Sequence, residues 1–302
     1  MSVVPGRPKQ ARTAGEAEGT PVSTAGPPQG AQHRSAQREG TPVSQDLLHV
    51  EQHGAVRVLT MTGQPRRGNP MSAALGRALL AALSDAVADD SVRCVVLAGT
   101  PTHFCVGADL VDVARLNGVQ AILDGWLDDL DRIRRLPKPV IAAVRGYAVG
   151  GGFELALYCD LIVAAEDARF ALPETGIGVI AGQGGSQRLI GLAGRAVAAD
   201  LVLTGRELSG AEARAYGIAA RAVPADEVLP TAIAMAQAVS ERSAPAVAFA
   251  REVILEASEG PLRQSLRIER LLAAVVLDTS EAQTRIGNFL ARRQAAPASR
   301  GQ

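Results

Sequence analysis

The chain has 302 residues, which at about 150 residues per domain leaves room for one large domain or one domain with an appendage. Its residues are 47% hydrophobic, 21% charged and only 3% aromatic, a balance that excludes fibrous, collagen-like and wholly disordered chains. Thirty-one basic side chains cancel thirty-one acidic ones, so the positive excess of a nucleic-acid binder is missing.

Residues 1–45 hold six prolines and six glycines and almost no adjacent large apolar side chains. They cannot bury enough surface to offset their ordering entropy, and a disordered tail is expected. The string Glu-Gly-Thr-Pro-Val-Ser occurs at 18–23 and again at 39–44, which reads as a duplicated linker. Arg7, Arg12, Arg34 and Arg38 raise the alternative of a transit peptide; Glu16, Glu18 and Glu39 argue against it.

From residue 46 the texture changes. Leu47 to Val50 and Val56 to Met61 read as a hairpin around Gln52-His53-Gly54. Leu75, Leu79, Leu80, Leu83 and Val87 recur at helical spacing, and Cys94-Val95-Val96-Leu97-Ala98 follows as a buried strand. The unit repeats: Leu127, Leu130, Ile133 and Leu136 mark a helix stopped by Pro137, and Val140-Ile141-Ala142-Ala143-Val144 is the next strand. A third unit opens at Gly150-Gly151-Gly152 with a helix to Tyr158 and continues into the strand Leu161-Ile162-Val163-Ala164-Ala165. Beyond Pro245 the apolar positions keep helical spacing, so the chain divides into a core over 46–245 and a helical region over 246–302.

Three cysteines, Cys94, Cys105 and Cys159, form an odd number without CxxC spacing, so neither a disulfide framework nor a structural zinc site is indicated and a reducing compartment fits. No apolar run approaches the roughly 18 residues of a bilayer span, so no membrane association is expected and the expected location is the cytoplasm. His33, His49, His53 and His103 show no metal-ligand spacing.

Gly150-Gly151-Gly152-Phe153-Glu154 lies between a strand and a helix, where bare backbone N–H groups can meet a developing negative charge. Three glycines can equally make a tight connection and nothing more. Glu154 weighs against that second reading, because the apolar Leu155, Ala156 and Leu157 after it imply a carboxylate facing inward or into a cleft, and a buried carboxylate needs a reason. Glu174 follows a second probable strand, Arg169-Phe170-Ala171-Leu172. It can join Glu154 only if the fold returns, and two such acids would supply a base and an acid. Gly176-Ile177-Gly178-Val179-Ile180-Ala181 satisfies a dinucleotide pattern, but only a short helix over 186–203 follows and no acid ends a strand about 20 residues on.

The stretch Lys138-Pro139-Val140-Ile141-Ala142-Ala143-Val144-Arg145-Gly146-Tyr147-Ala148-Val149-Gly150-Gly151-Gly152-Phe153-Glu154-Leu155-Ala156 closely resembles the core signature of the crotonase superfamily, specifically the enoyl-CoA hydratases. Phe104-Cys105-Val106-Gly107-Ala108-Asp109-Leu110, Ala171-Leu172-Pro173-Glu174 and Gly184-Gly185-Ser186-Gln187-Arg188-Leu189 resemble further segments in the right order, and the likeness covers roughly residues 46–293. It implies an α/β fold of ββα turns wound into a spiral, with C-terminal helices that form homotrimers or dimers of trimers. It implies an acyl-CoA thioester substrate and no separate cofactor or metal. Glu154 and Glu174 match the catalytic glutamates, Ala108 and Gly151 the oxyanion-hole amides, and Asp109, Leu110, Val111, Gly182 and Arg66 positions that bind substrate.

The expected reaction is syn addition of water to a trans-2-enoyl-CoA. An enoyl-CoA isomerase and a non-catalytic acyl-CoA-binding protein stand as alternatives, and the paired glutamates favour hydration. Departures from the pattern are Gln183 among the glycines, Asn69-Pro70-Met71 after the hairpin, Val111 in place of a common lysine, and Thr284-Arg285 late in the chain.

Overall fold

A computed structural model describes residues 47–115, 117–123 and 130–295; the tail expected over 1–45 lies outside them. β1 (Leu48–His53) pairs antiparallel with β2 (Val56–Met61) across Gly54, as the alternation implies. α1 (Ala73–Ala88) follows, opened by Ser72, whose Oγ accepts the Leu75 N–H. Leu75, Leu79, Ala82, Leu83 and Ala86 form its buried face.

Three successive turns then share one plan. The first holds β3 (Cys94–Ala98), β4 (His103–Cys105) and the short helices α2 (Leu110–Val113), α3 (Gly118–Leu123) and α4 (Asp131–Arg134). The second holds β5 (Val140–Val144), β6 (Tyr147–Val149) and α5 (Gly151–Tyr158). The third holds β7 (Leu161–Ala165), β8 (Arg169–Ala171) and α6 (Gly185–Thr204). After it come β9 (Leu208–Ser209), α7 (Gly210–Ala215), β10 (Arg221–Val223) and α8 (Val228–Ser240).

The first strand of each turn enters a six-stranded sheet of order β1-β2-β3-β5-β7-β10, and the second enters a four-stranded sheet of order β4-β6-β8-β9. Pairing is parallel from β2 to β10 and from β4 to β8, since each turn lays its strands beside those of the turn before. This is the expected ββα spiral. Every residue of β3 and β5 is buried, which is why these strands read as unbroken apolar runs without alternation. At the corner between β5 and β6, Gly146 has φ 61° and a side chain there would fall onto the Thr102 carbonyl. α8 closes one face of the larger sheet through Val228, Ala232 and Ala236, spaced one helical turn apart.

Two expectations change. The short helix over 186–203 is the twenty-residue α6, broken at Gly194, where φ 80° and ψ 165° leave helical geometry. The smaller sheet was visible in sequence only at β8, through the run Arg169 to Leu172 before Pro173; β4, β6 and β9, of two or three residues, show no periodicity of their own.

α9 (Ala244–Glu259), α10 (Leu262–Leu277) and α11 (Ser280–Ala295) end the described chain. Arg251 ties α9 to the core: its side chain is 7% exposed, Nη1 donates to the Leu136 carbonyl at 2.6 Å, and Nε lies 2.7 Å from Asp160 Oδ1. Nε makes no well-directed hydrogen bond, so charge rather than alignment holds that contact. The other Asp160 oxygen accepts the Val140 N–H at 2.8 Å. Asp160→Ala should lower the unfolding free energy by about 3–5 kcal/mol, because it strands a buried guanidinium. A urea titration checks this, and an unchanged midpoint would refute it.

Candidate active site

The ends of β6 and β8 lie side by side, with Val149 paired to Ala171. The chain after each strand end carries one of the two acids, which is how residues twenty positions apart meet. The Gly150 N–H donates to the Ala171 carbonyl at 2.8 Å and fastens the start of α5 to the end of β8. Gly150 holds φ 56° and ψ −131°, a conformation open to glycine.

Gly151 is the first residue of α5, where a backbone N–H has no partner within its own helix. Ala108 follows β4 at a short parallel bridge to Met71, whose two bonds run from Met71 N–H to Gly107 O at 2.7 Å and from Asp109 N–H to Met71 O at 3.4 Å. The Ala108 N–H is outside both. A Cβ built on Gly151 would sit 3.6 Å from Ala108 N, and one built on Gly107 would sit 2.9 Å from Gly151 N. Two neighbouring amides, without a protein acceptor among the described residues, thus adjoin one cavity of about 220 Å³. Gln183 lines it with them, and Met71, Leu79 and Leu80 add apolar wall.

Glu154 lies in the first turn of α5 and is 3% exposed. Its Oε1 accepts the Gln183 N–H at 2.8 Å and the Gly185 N–H at 2.9 Å. Burial raises its pKa above the ordinary glutamate value, while those two amides and the Arg188 charge pull it back. Gly185 leaves room for this grip, since a Cβ there would come within 2.9 Å of Glu154 Cγ.

Glu174 opens the 3-10 turn Glu174–Ile177. Its Oε2 is buried without a hydrogen-bond partner, and its Oε1 lies 2.9 Å from where a Gly150 Cβ would stand. Burial raises its pKa first, its own backbone N–H opposes that, and the Glu154 charge raises it further. Adjacent glycines, Gly150 and Gly151, therefore lie against the two carboxylates, with a Cβ on Gly151 placed 4.0 Å from Glu154 Oε2.

The other anticipated residues are placed as follows. Asp109 caps α2 by accepting the Val111 N–H at 3.0 Å and pairs with Arg67 at 3.4 Å. Leu110 and Val111 are exposed on α2. Gly182 is exposed just before Gln183, and Arg66 is exposed in the 3-10 turn Pro65–Arg67. All three cysteines are buried, and burial pushes Cys94 up to about 12 and Cys105 up to about 11, so the thiols are inert. Among the described residues no cluster of His, Cys, Asp or Glu could hold a metal ion, and no helix is long and apolar enough to cross a membrane.

Sequence reasoning missed what holds Glu154. The Gln183 and Gly185 amides were visible only as a polar interruption in a glycine run. Arg188 was also missed: it stacks 3.6 Å from the Tyr158 ring centroid, and the Tyr158 hydroxyl donates to Asp131 at 2.8 Å. That contact joins α4, α5 and α6 around the site.

Residues 51–298 match the family model described as enoyl-CoA hydratase/isomerase. A probable enoyl-CoA hydratase of Rhizobium meliloti is 40% identical over 253 residues, covering 84% of this chain and 98% of that protein. The crystal structure of an enoyl-CoA hydratase from Polaromonas superposes with a TM-score of 0.76 at 33% identity, covering 81% of this chain and 97% of the other. A Geobacillus kaustophilus enoyl-CoA hydratase subunit gives a TM-score of 0.79 at 31% identity, covering 85% and 98%. This chain belongs to the enoyl-CoA hydratase/isomerase family.

Proposed function

We propose that the protein adds water reversibly to a trans-2-enoyl-CoA, giving a 3-hydroxyacyl-CoA. The observation that carries this is the convergence of the buried Glu154 carboxylate and the half-buried Glu174 carboxylate on adjacent glycines beside a pair of free amides. The thioester oxygen accepts the Ala108 and Gly151 N–H groups. As water attacks Cβ, electron density moves onto that oxygen and the intermediate is an enolate, which two preorganised donors stabilise more than they stabilise the starting carbonyl.

The environments divide the acid and base roles. Glu154 keeps a carboxylate because two backbone N–H groups point at it, so it takes the proton from water. Glu174 has an unpartnered buried oxygen and a negative neighbour, both of which favour its neutral form, so it is the group assigned to deliver a proton to Cα. The proton gained at Cα and the hydroxyl gained at Cβ sum to one water, with Glu154 protonated and Glu174 ionised until a proton passes from Glu154 to Glu174. No electron is exchanged, and coenzyme A enters as part of the substrate.

Incubation with a trans-2-enoyl-CoA and, separately, with a trans-3-enoyl-CoA tests this. A product heavier by one water from the first is expected; double-bond migration in the second without hydration of the first would make the protein an isomerase. Gly151→Pro supplies a sharper probe, because proline suits the first helical position while deleting the N–H. It should lower kcat about 100-fold. Unchanged kcat would remove Gly151 from the oxyanion hole.

The amphipathic C-terminal helices leave Leu262, Leu271, Val275, Phe289 and Leu290 exposed, which supports self-association as a homotrimer or dimer of trimers. Light scattering reads the mass. The compartment proposed for this reaction is the cytoplasm.

A further inference from the structure

Hydration fixes what happens at Cα and Cβ and leaves the far end of the acyl group open. The cavity holding the amide pair carries a feature that hydration does not use. On α1, Ala73, Gly76, Arg77 and Leu80 share one face at i, i+3, i+4 and i+7, and this face lines the cavity. α4 brings Arg132 and Ile133 to it. The remaining lining side chains are apolar except Ser72 and Gln183, and Ser72 already accepts the Leu75 N–H at 3.2 Å.

Two arginines are unexpected in such a lining. Some neighbouring arginines are held by acids, Arg134 by Glu259, Arg188 by Asp131 and Arg67 by Asp109. Among the described residues, neither Arg77 nor Arg132 has a carboxylate partner or donates a hydrogen bond. Both are exposed at the cavity, each with a planar fork of donors matched to a carboxylate. A methyl-ended chain would gain nothing from them.

We infer that Arg77 and Arg132 receive a carboxylate at the distal end of the acyl chain, making the substrate the coenzyme A monothioester of an unsaturated dicarboxylic acid. The inference rests on the hydratase reading of this site. The apolar wall takes the methylenes, the amides take the thioester oxygen, and the guanidinium groups take the terminal anion. A charge-assisted hydrogen bond of this kind corresponds to roughly a 10- to 100-fold change in affinity.

The test measures kcat/KM for two trans-2-enoyl-CoA thioesters of equal chain length, one ending in a methyl and one in a carboxylate. Wild type, Arg77→Gln and Arg132→Gln are compared, with melting temperature as the control for folding. Wild type should favour the carboxylate-ended thioester about tenfold or more. Each substitution should lower its kcat/KM roughly 10- to 100-fold, mainly through KM, and leave the methyl-ended thioester unchanged. Equal losses on both thioesters would overturn the inference, since the arginines would then serve the coenzyme A phosphates common to both. Absence of discrimination in the wild type would also overturn it while hydration stands. If the wild type hydrates neither thioester, the proposed function itself fails.

Discussion

Glu154→Gln should lower kcat by roughly 100- to 10,000-fold with KM little changed, the range that a lost general base produces. The substitution is nearly isosteric. The amide oxygen of the new glutamine can still accept the Gln183 and Gly185 N–H groups, which lie 2.8 and 2.9 Å from Oε1. The glycine loop before α6 therefore keeps its anchor, and the fold should persist. What disappears is a carboxylate able to take a proton from water. Steady-state kinetics with a trans-2-enoyl-CoA, beside a circular-dichroism melt, separates these effects. Full activity in this variant would remove Glu154 from the chemistry.

Glu174→Gln should cost activity on the same scale yet raise the melting temperature at neutral pH. The buried Oε2 of Glu174 has no partner and faces the field of Glu154. Its pKa in the folded protein is raised above the ordinary 4.5, so the folded state holds the proton more tightly than the unfolded chain. The stability from that proton is complete below the unfolded pKa and is lost as pH rises through the folded one. Glutamine is neutral throughout and avoids the loss, so the melting temperature should rise on the order of a few degrees near neutrality. The gain should vanish in acid, where wild-type Glu174 is also neutral. A variant that melts lower at neutral pH would contradict this assignment.

The same directions shape the pH dependence of catalysis. Activity requires Glu154 ionised and Glu174 protonated, so kcat/KM should follow a bell. Burial raises both groups, which sets the acid limb above the ordinary glutamate range.

The first strands of the turns, β3, β5 and β7, were readable because burial on both faces makes their sequences continuously apolar. The α5 start was readable through its glycines. β4, β6 and β9 were not, since two or three residues carry no periodicity. The glutamate pairing also lay beyond spacing, because the Val149–Ala171 register of the smaller sheet determines it; the family resemblance supplied it instead. Arg77 and Arg132 gave no sequence signal either. They stand out only after α1 and α4 are seen to share a cavity and their guanidinium groups are found without acids among the described residues.

The most direct test is a crystal structure with an unreactive 2-enoyl-thioester analogue bound. Its carbonyl oxygen should lie about 2.7–3.1 Å from both Ala108 N and Gly151 N, with Glu154 and Glu174 on one face of the Cα–Cβ bond. An oxygen turned away from those amides, or carboxylates on opposite faces, would contradict hydration at this site.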